Sequence, residues 1–433
     1  MSVALLERSF PAVWSASFHE EKRAFISVKS TLTGEENKTF THWKTQMQSA
    51  VLFASLLQKD RLHAYLPFRN FWRNIPRLME GFYLNDLRGQ LKDIPMVITG
   101  AGPSLQTAYP YLQQLEQKAV ITSVGSSIAA LSKELIEPHL GIFLDPNLEE
   151  LFRLKQNTAF SMPFLYTPRL FPDCFATSSA FAGYIRSSMG QYAYRWLEEY
   201  MDLKGACIGE YLSYEALSVT TLALEIADFL GCNPIVLVGV DLAYLQEKRY
   251  AEGIVKSADN VPEEEVIETT DTGDGSTLKT KTAWLMEKRA IEDFCRRTKS
   301  QVIHASKGLA IRHTKKTSLE SLIARNPFPI RGYIDALIHS RKSPCSVAQI
   351  VGFQKTVQKS IAICKKHLCV LAKNTSFADQ ALAEIALEKE PAYRFLFYDT
   401  KRVLQTSFPA LDTKQVYQKM LDLVEKHQEM MRV

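Results

Sequence analysis

No stretch of this 433-residue chain approaches the roughly 20 consecutive apolar residues that a membrane-spanning helix requires. Its opening, MSVALLERSF, lacks the basic segment and apolar run of a secretory leader, so a cytoplasmic protein is expected. The seven cysteines, at 174, 207, 232, 295, 345, 364 and 369, are odd in number and form no CxxC pair. A disulfide framework is excluded on that pattern, and reduced thiols are expected. Cys364, His367 and Cys369 lie close together but lack the second pair that closes a zinc shell, so they read as helix residues and no metal site is expected. Charge is also modest: 52 basic against 47 acidic residues leave +5. No basic tract alternates with aromatics, which argues against a nucleic-acid partner. Internal repeats and low-complexity tracts are absent, and nothing in the pattern fixes an oligomeric state.

The residues that are present divide into three regions. Residues 1–75 mix short apolar runs with polar turns. A strand at 25–28 and an amphipathic helix at 43–57, with Met47, Val51 and Ala54 on one face, suggest a small α+β segment. From Pro95 the pattern changes. Apolar runs at 96–99, 119–123, 140–144, 235–239 and 302–304 alternate with helical stretches, which predicts a Rossmann-like α/β domain over 76–330 with a mainly parallel sheet covered on both faces. Small and polar residues gather where these strands end: 100–104, 123–127, 145–147 and 241–244. In an open parallel sheet that edge holds the ligand. A polar, glycine-containing stretch at 250–282 predicts a loop or lid, with its acidic triplet at 263–265 as a solvated face. Residues 331–433 form a helical C-terminal region, in which Val347, Ile350, Val351, Val357, Ile361, Cys364 and Leu368 share one helix face. Two more helices are expected at 378–387 and 415–430.

The sharpest local signal is Gly100-Ala101-Gly102-Pro103-Ser104. Two glycines after a strand let backbone approach a ligand closely, and the N–H groups of the following helix start can hold an anion. Leu105 stands where GxGxxG has its third glycine, and the GK[ST] of a P-loop is missing, so neither a dinucleotide fingerprint nor a Walker loop is present.

Asn74-Ile75-Pro76-Arg77, Asp86-Leu87-Arg88-Gly89 and the glycine turn strongly resemble the entry to the central domain of motility-associated factor (Maf) glycosyltransferases. The same order continues through Asp145-Pro146-Asn147, Ser218-Val219-Thr220, Leu230-Gly231-Cys232-Asn233-Pro234 and Val238-Gly239-Val240-Asp241-Leu242-Ala243-Tyr244. Asp274-Gly275, Leu278-Lys279-Thr280, Trp284 and Ile303-His304-Ala305-Ser306 extend it, so the resemblance spans residues 74–314.

That resemblance implies two activities. Bacterial Maf proteins transfer nonulosonic (sialic-acid-like) sugars from a CMP-activated donor to protein hydroxyls, and their central domain resembles bacterial sialyltransferases. Archaeal relatives of the MptE-like family are 6-hydroxymethylpterin diphosphokinases that use ATP and magnesium. The first is the expectation adopted here, with a CMP-sugar as substrate and a protein among the possible acceptors. The diphosphokinase and a non-catalytic nucleotide- or sugar-binding interaction protein stand as alternatives. By resemblance, Gly100, Gly102, Pro103, Ser104 and Ser218 hold the donor, while Tyr244 and Tyr250 hold its phosphate. Gly125, Ser126, Asp145, Asn147 and Thr280 complete the expected donor-binding set. The sialyltransferases place a general-base histidine in the loop corresponding to residues near 280–282, where this chain has none. His304 and Asp241, with Asp145, are therefore the candidate bases, and Asp241, Tyr244 and His304 form the expected catalytic group. Maf proteins carry larger flanking regions than this chain, which leaves the acceptor open.

Overall fold

The computed structural model describes residues 62–432, except 180, 188–191, 213–217, 255–265, 270, 273–274, 316, 318 and 374–375. The expected strand at 25–28, the helix at 43–57, the acidic triplet at 263–265 and Asp274 lie outside the described residues. Two compact units divide the chain: Asn70–Phe353, and Met1–Arg69 with Gln354–Val433.

The first unit is built on eight parallel strands: β1 (Phe82–Tyr83), β2 (Met96–Thr99), β3 (Val120–Val124), β4 (Leu140–Phe143), β5 (Phe164–Tyr166), β6 (Ala182–Tyr184), β7 (Ile235–Val238) and β10 (Val302–His304). Their order across the sheet is β1-β6-β5-β4-β3-β2-β7-β10. Every residue of β2, β3, β4 and β7 is buried. Successive side chains of a strand point to opposite faces, so one strand feeds two cores. Met96 and Ile98, with Ile235 and Leu237, pack on one face, whereas Val97, Val236 and Val238 pack on the other. This two-sided burial is why the strands read as unbroken apolar runs rather than as alternations.

Helices cover both faces. A 3-10 turn at Pro103–Ala108 runs into α1 (Tyr109–Leu115); α2 (Ser127–Lys133) follows β3, and α3 (Leu148–Leu154) follows β4. Before β7 comes α4 (Val219–Leu230). Its start is fixed by a capping box, in which Ser218 accepts from the Thr221 amide, and its end by Gly231 in the left-handed region at φ 84°. Leu222, Leu224, Ile226 and Leu230 of this helix are buried in the core. The segment expected to be a loop instead carries an antiparallel pair, β8 (Val266–Thr269) with β9 (Leu278–Lys281), which leads directly into α5 (Thr282–Arg297). Polar residues on the exposed side of these strands hide them from a reading based on apolar runs. Further on, α6 (Ile330–His339) returns to the sheet, with Ile334 and Ile338 in the same core as β2.

The connections set the ligand-binding edge. Strands β2 to β6 progress to one side, and then the chain returns to lay β7 on the other side of β2, with β10 beyond it. Chain leaves the carboxyl ends of β2 and β7 in opposite directions, which opens a crevice between them.

The described residues of the second unit are helical. They comprise the start of the helix Tyr65–Asn74 up to residue 69, the part of α7 (Val347–Leu371) from residue 354 onward, α8 (Phe377–Lys389), a π-helical turn at Tyr393–Phe397, α9 (Tyr398–Ser407) and α10 (Thr413–Met430). On α7, Ile350, Val357, Ile361, Cys364 and Leu368 are buried as the periodicity predicts, but Val347 and Val351 are exposed. Burial pushes the Cys364 thiol up to about 12, which makes it a packing residue and not a thiolate ligand. Among the described residues no group of three His, Cys, Asp or Glu side chains could hold a metal ion, and no helix is long and apolar enough to cross a membrane.

Candidate functional site

The crevice between β2 and β7 begins where Thr99 and Val238 lie side by side. Beyond them the two chains remain in contact. The Gly100 amide donates to the Val238 carbonyl at 2.7 Å, and the Gly102 amide donates to the Gly239 carbonyl at 2.8 Å. A Cβ on Gly100 would run into the Gly239 carbonyl, and Gly239 itself sits at φ 67°. The glycines are therefore required by backbone meeting backbone.

Asp241 closes this contact. Its buried carboxylate accepts from the Ser104 amide at 2.8 Å and from the Ser104 hydroxyl. A Cβ on Gly102 would collide with that carboxylate and with the Gly239 carbonyl. Burial pushes Asp241 up to about 6, against the opposing pull of the Ser104 and Lys307 hydrogen bonds. These contacts change the expected role of the turn. The amides of Gly100, Gly102 and Ser104 and the Ser104 hydroxyl are engaged inside the protein, and the Leu105 amide donates to the Gly102 carbonyl at 3.0 Å. The turn shapes the crevice, with an internal carboxylate at the helix start where an anion was expected. Pro103 opens the 3-10 turn, a position where a missing N–H costs nothing.

Beside β2, the end of β3 leaves open space. Gly125 adopts φ 51°, and a Cβ there would meet nothing within 4 Å beyond its chain neighbours. Ser126 is half-buried at the start of α2 and makes no side-chain cap bond. Ser127 beneath it is buried and ties together the Val124 amide, Ser123 and Thr99. One strand further out, Asp145 accepts from the Asn147 amide (3.2 Å) and Asn147 Nδ2 (2.8 Å), and pairs with Arg153 at 3.3 Å. Arg153 also pairs at 3.0 Å with Glu150, which burial pushes up to about 7. Asp145 and Asn147 are thus turned toward each other, and β3 separates them from the crevice.

The far wall comes from the chain after β7. The Ala251 amide donates to the Ala101 carbonyl at 2.9 Å, which brings Tyr250 to the glycine turn. The Tyr244 amide donates to the Lys279 carbonyl at 2.8 Å, and Thr280 Oγ1 donates to the Leu242 carbonyl at 2.7 Å. Thr280 is buried, so its hydroxyl fastens β9 to the Asp241 segment rather than facing a ligand. Tyr244 packs 5.1 Å from the Trp284 ring. The Arg249 guanidinium lies over both Tyr250 (4.8 Å) and Trp284 (5.9 Å), and Lys281 lies over Trp284 at 5.7 Å. His304, expected among the catalytic group, is buried with Nε2 3.2 Å from the Val240 carbonyl. Because a carbonyl only accepts, Nε2 carries the proton there, and the ring acts as a strut.

Ser218 caps α4 and donates from Oγ to Glu287 Oε1 at 2.7 Å. Glu287, Arg249 and Lys281 were missed from the sequence, and Trp284 appeared only as part of a motif. A single Glu inside an amphipathic helix carries no local signal; only the fold brings it to Ser218. A cavity of about 410 Å³ exists elsewhere, lined by Gln117, His139, Phe328 and Arg331 among others. Gln117 and His139 precede β3 and β4, so it lies at the amino edge of the sheet, opposite the crevice. Burial lowers His139 to about 3, and its Nδ1 accepts from the Ile121 amide, so the imidazole there is a neutral core group.

With this geometry, residues 69–247 match the family model described as 6-hydroxymethylpterin diphosphokinase MptE-like. The matched segment contains β1 to β7 and the glycine turn, whereas β10, the β8–β9 pair and the wall residues from Lys248 onward lie outside it. Among solved structures, the chain is similar to the Maf glycosyltransferase from Magnetospirillum magneticum AMB-1, with a TM-score of 0.57 at 16% identity over 86% of this chain. This chain spans 59% of that protein's length. The sialyltransferase CstII from Campylobacter jejuni, solved with cytidine-5'-monophosphate, also matches, with a TM-score of 0.29 at 16% identity over 52% of this chain and 88% of that one. No curated protein matches the sequence.

Proposed function

We propose that this protein is a glycosyltransferase that moves a nonulosonic, sialic-acid-like sugar from a CMP-activated donor to a hydroxyl of a protein or other acceptor. The observation that carries this reading is the pair of phenols beside the switch-point crevice. Tyr250 is brought there by the Ala251–Ala101 bond, and Tyr244 is braced by Lys279 and Trp284. Transfer from a CMP donor releases one phosphate monoester, whose growing charge two placed hydroxyls can stabilise without a metal ion. Arg249, over Tyr250 and Trp284, adds a cation to the same wall. Gly125 and Ser126 offer open space across the crevice for the rest of the donor. The Maf glycosyltransferase of similar fold supports the reaction class.

The MptE-like match favours a second reading, phosphoryl transfer from ATP to a pterin alcohol. That chemistry uses magnesium to neutralise the β- and γ-phosphate oxygens, held by carboxylates. Asp241 is committed to Ser104 and Asp145 to Asn147 and Arg153, which tilts the choice to the sugar transferase.

A thermal-shift and calorimetric screen with CMP, CDP, UDP, ATP and ATP–magnesium separates the readings, since a ligand that binds only the folded state stabilises it. CMP is expected to bind equally in EDTA, with roughly tenfold loss, about 1.4 kcal/mol, in a Tyr244→Phe, Tyr250→Phe double variant. Strictly magnesium-dependent ATP binding with no response to CMP overturns the assignment in favour of the diphosphokinase. Nucleotide binding without turnover of any donor leaves the interaction protein.

A further inference from the structure

The sugar-transfer reading requires a group that accepts the proton of the attacking hydroxyl, and the residues first expected to do so are engaged elsewhere. His304 is buried against the Val240 carbonyl, and Asp241 is buried with both carboxylate oxygens on Ser104, whereas Glu287 is only half-buried. The geometry points to Glu287 as the general base of the transfer, positioned by the Ser218 and Thr220 hydroxyls at the start of α4. This inference rests on the glycosyltransferase reading above.

Glu287 lies in the second turn of α5, one turn after Trp284, and residues three apart share a helix face. It therefore shares a helix face with Trp284, whose ring packs on Tyr244 and lies under the Arg249 guanidinium. Helix α5 follows immediately from β9, whose Lys279 and Thr280 are bonded to the Tyr244–Leu242 segment. On the other side, Ser218 Oγ donates to Glu287 Oε1 at 2.7 Å, and Thr220 donates a second side-chain hydrogen bond. Helices α4 and α5 lead back into the parallel strands β7 and β10, so their amino-terminal ends, with Ser218 and Glu287, stand at the carboxyl edge of the sheet, where Asp241 and Tyr244 follow β7.

The chemistry fits the placement. Burial raises the Glu287 carboxyl above its ordinary range, and the Ser218 and Thr220 hydrogen bonds oppose that shift. A raised carboxylate is a stronger base near neutral pH than a solvated one. In the transfer step the acceptor oxygen bonds to the anomeric carbon of the sugar while the bond from that carbon to the CMP phosphate oxygen breaks. The bonding pair leaves with CMP, and the hydroxyl proton passes to Glu287. With water as acceptor, the same step releases free sugar and CMP.

The test uses the full chain with CMP and CMP-N-acetylneuraminic acid as probes. Glu287→Gln keeps the size of the side chain and an acceptor for Ser218. It should bind CMP within threefold of the unsubstituted protein and melt at a similar temperature, yet cleave the donor at least 100-fold more slowly. The unsubstituted protein should lose turnover on the acid side with an inflection above the usual carboxylate range. In Glu287→Asp, partial turnover should return with that inflection displaced. Donor cleavage by Glu287→Gln within threefold of the unsubstituted rate, or an acid limb unchanged in Glu287→Asp, overturns the assignment. Bound CMP with no donor cleavage by the unsubstituted protein overturns the base while leaving the nucleotide site intact. No CMP binding at all overturns the function reading and this inference with it.

Discussion

Asp241 and Ser104, 137 residues apart, are joined twice, because the Ser104 amide and hydroxyl each donate to a different oxygen of the Asp241 carboxylate. The contact clasps the turn after β2 to the chain after β7 and so sets the width of the crevice. Its cost is an acid held in a buried place, with a folded value near 6 against an ordinary 3.8.

That difference has a defined pH signature. Below about pH 4 Asp241 is protonated in both folded and unfolded chains and contributes no penalty. Between about 4 and 6 the unfolded chain ionises first, so stability falls as pH rises, by up to roughly 3 kcal/mol. Above 6 the penalty is constant. Asp241→Asn removes this segment of the curve, and urea unfolding from pH 4 to 7 should show a flatter profile in the variant. Equal slopes in the two proteins would contradict the burial-driven shift.

Gly102 and Gly125 should respond to substitution in opposite ways. At Gly102 a Cβ meets the Asp241 carboxylate and the Gly239 carbonyl, so Gly102→Ala should cost about 1–3 kcal/mol or more in denaturant melts. At Gly125 the space is open and φ is 51°. Asn tolerates that backbone region, so Gly125→Asn should fold with near-normal stability. Its side chain would occupy the open space, and CMP affinity measured by calorimetry should fall at least tenfold.

Ser218→Ala removes the α4 cap and one of the two hydroxyls on Glu287. A lost N-cap of this kind costs about 1 kcal/mol, measurable as a lower denaturant midpoint. The Glu287 carboxyl should rise further, so the acid limb of the turnover profile should move to higher pH. A midpoint and limb both unchanged would show that the Ser218–Glu287 bond has no weight.

His304→Gln should keep donor cleavage within threefold of the unsubstituted rate, because the imidazole is buried and its Nε2–H donates to the Val240 carbonyl. A small loss of stability, about 1 kcal/mol, is expected from the altered bond. A 100-fold loss of turnover with CMP binding retained would restore His304 to the catalytic group.

The sheet was legible in the sequence because strands buried on both faces declare themselves as apolar runs. β2, β4, β7 and β10 fall within a residue of their expected bounds, and β3 is displaced by one. β1, β5 and β6 were not read, since two or three residues interrupted by Gly or Tyr give no periodicity. The pair β8–β9 was hidden by its polar composition. The glycine turn was found, but its purpose was not: sequence shows that Gly102 has no side chain, and only the fold shows that Asp241 fills that place. Ser218 was placed by resemblance, whereas Glu287 became visible only when α4 and α5 were packed together.

The short outer strands have a consequence for how this chain behaves in a crowded solution. β1 offers two residues for pairing at one end of the sheet, and a Cβ on the neighbouring Gly81 would collide with the Ala182 carbonyl. At the other end β10 is three residues long, and Lys315 closes over it through bonds from the His304 amide and to the Val302 carbonyl. An eight-stranded sheet with long, bare margins would be a template for the strands of other molecules, and margins this brief or already covered give them little to register against. The fold thereby guards itself from fibre-like self-association without resort to closing into a barrel.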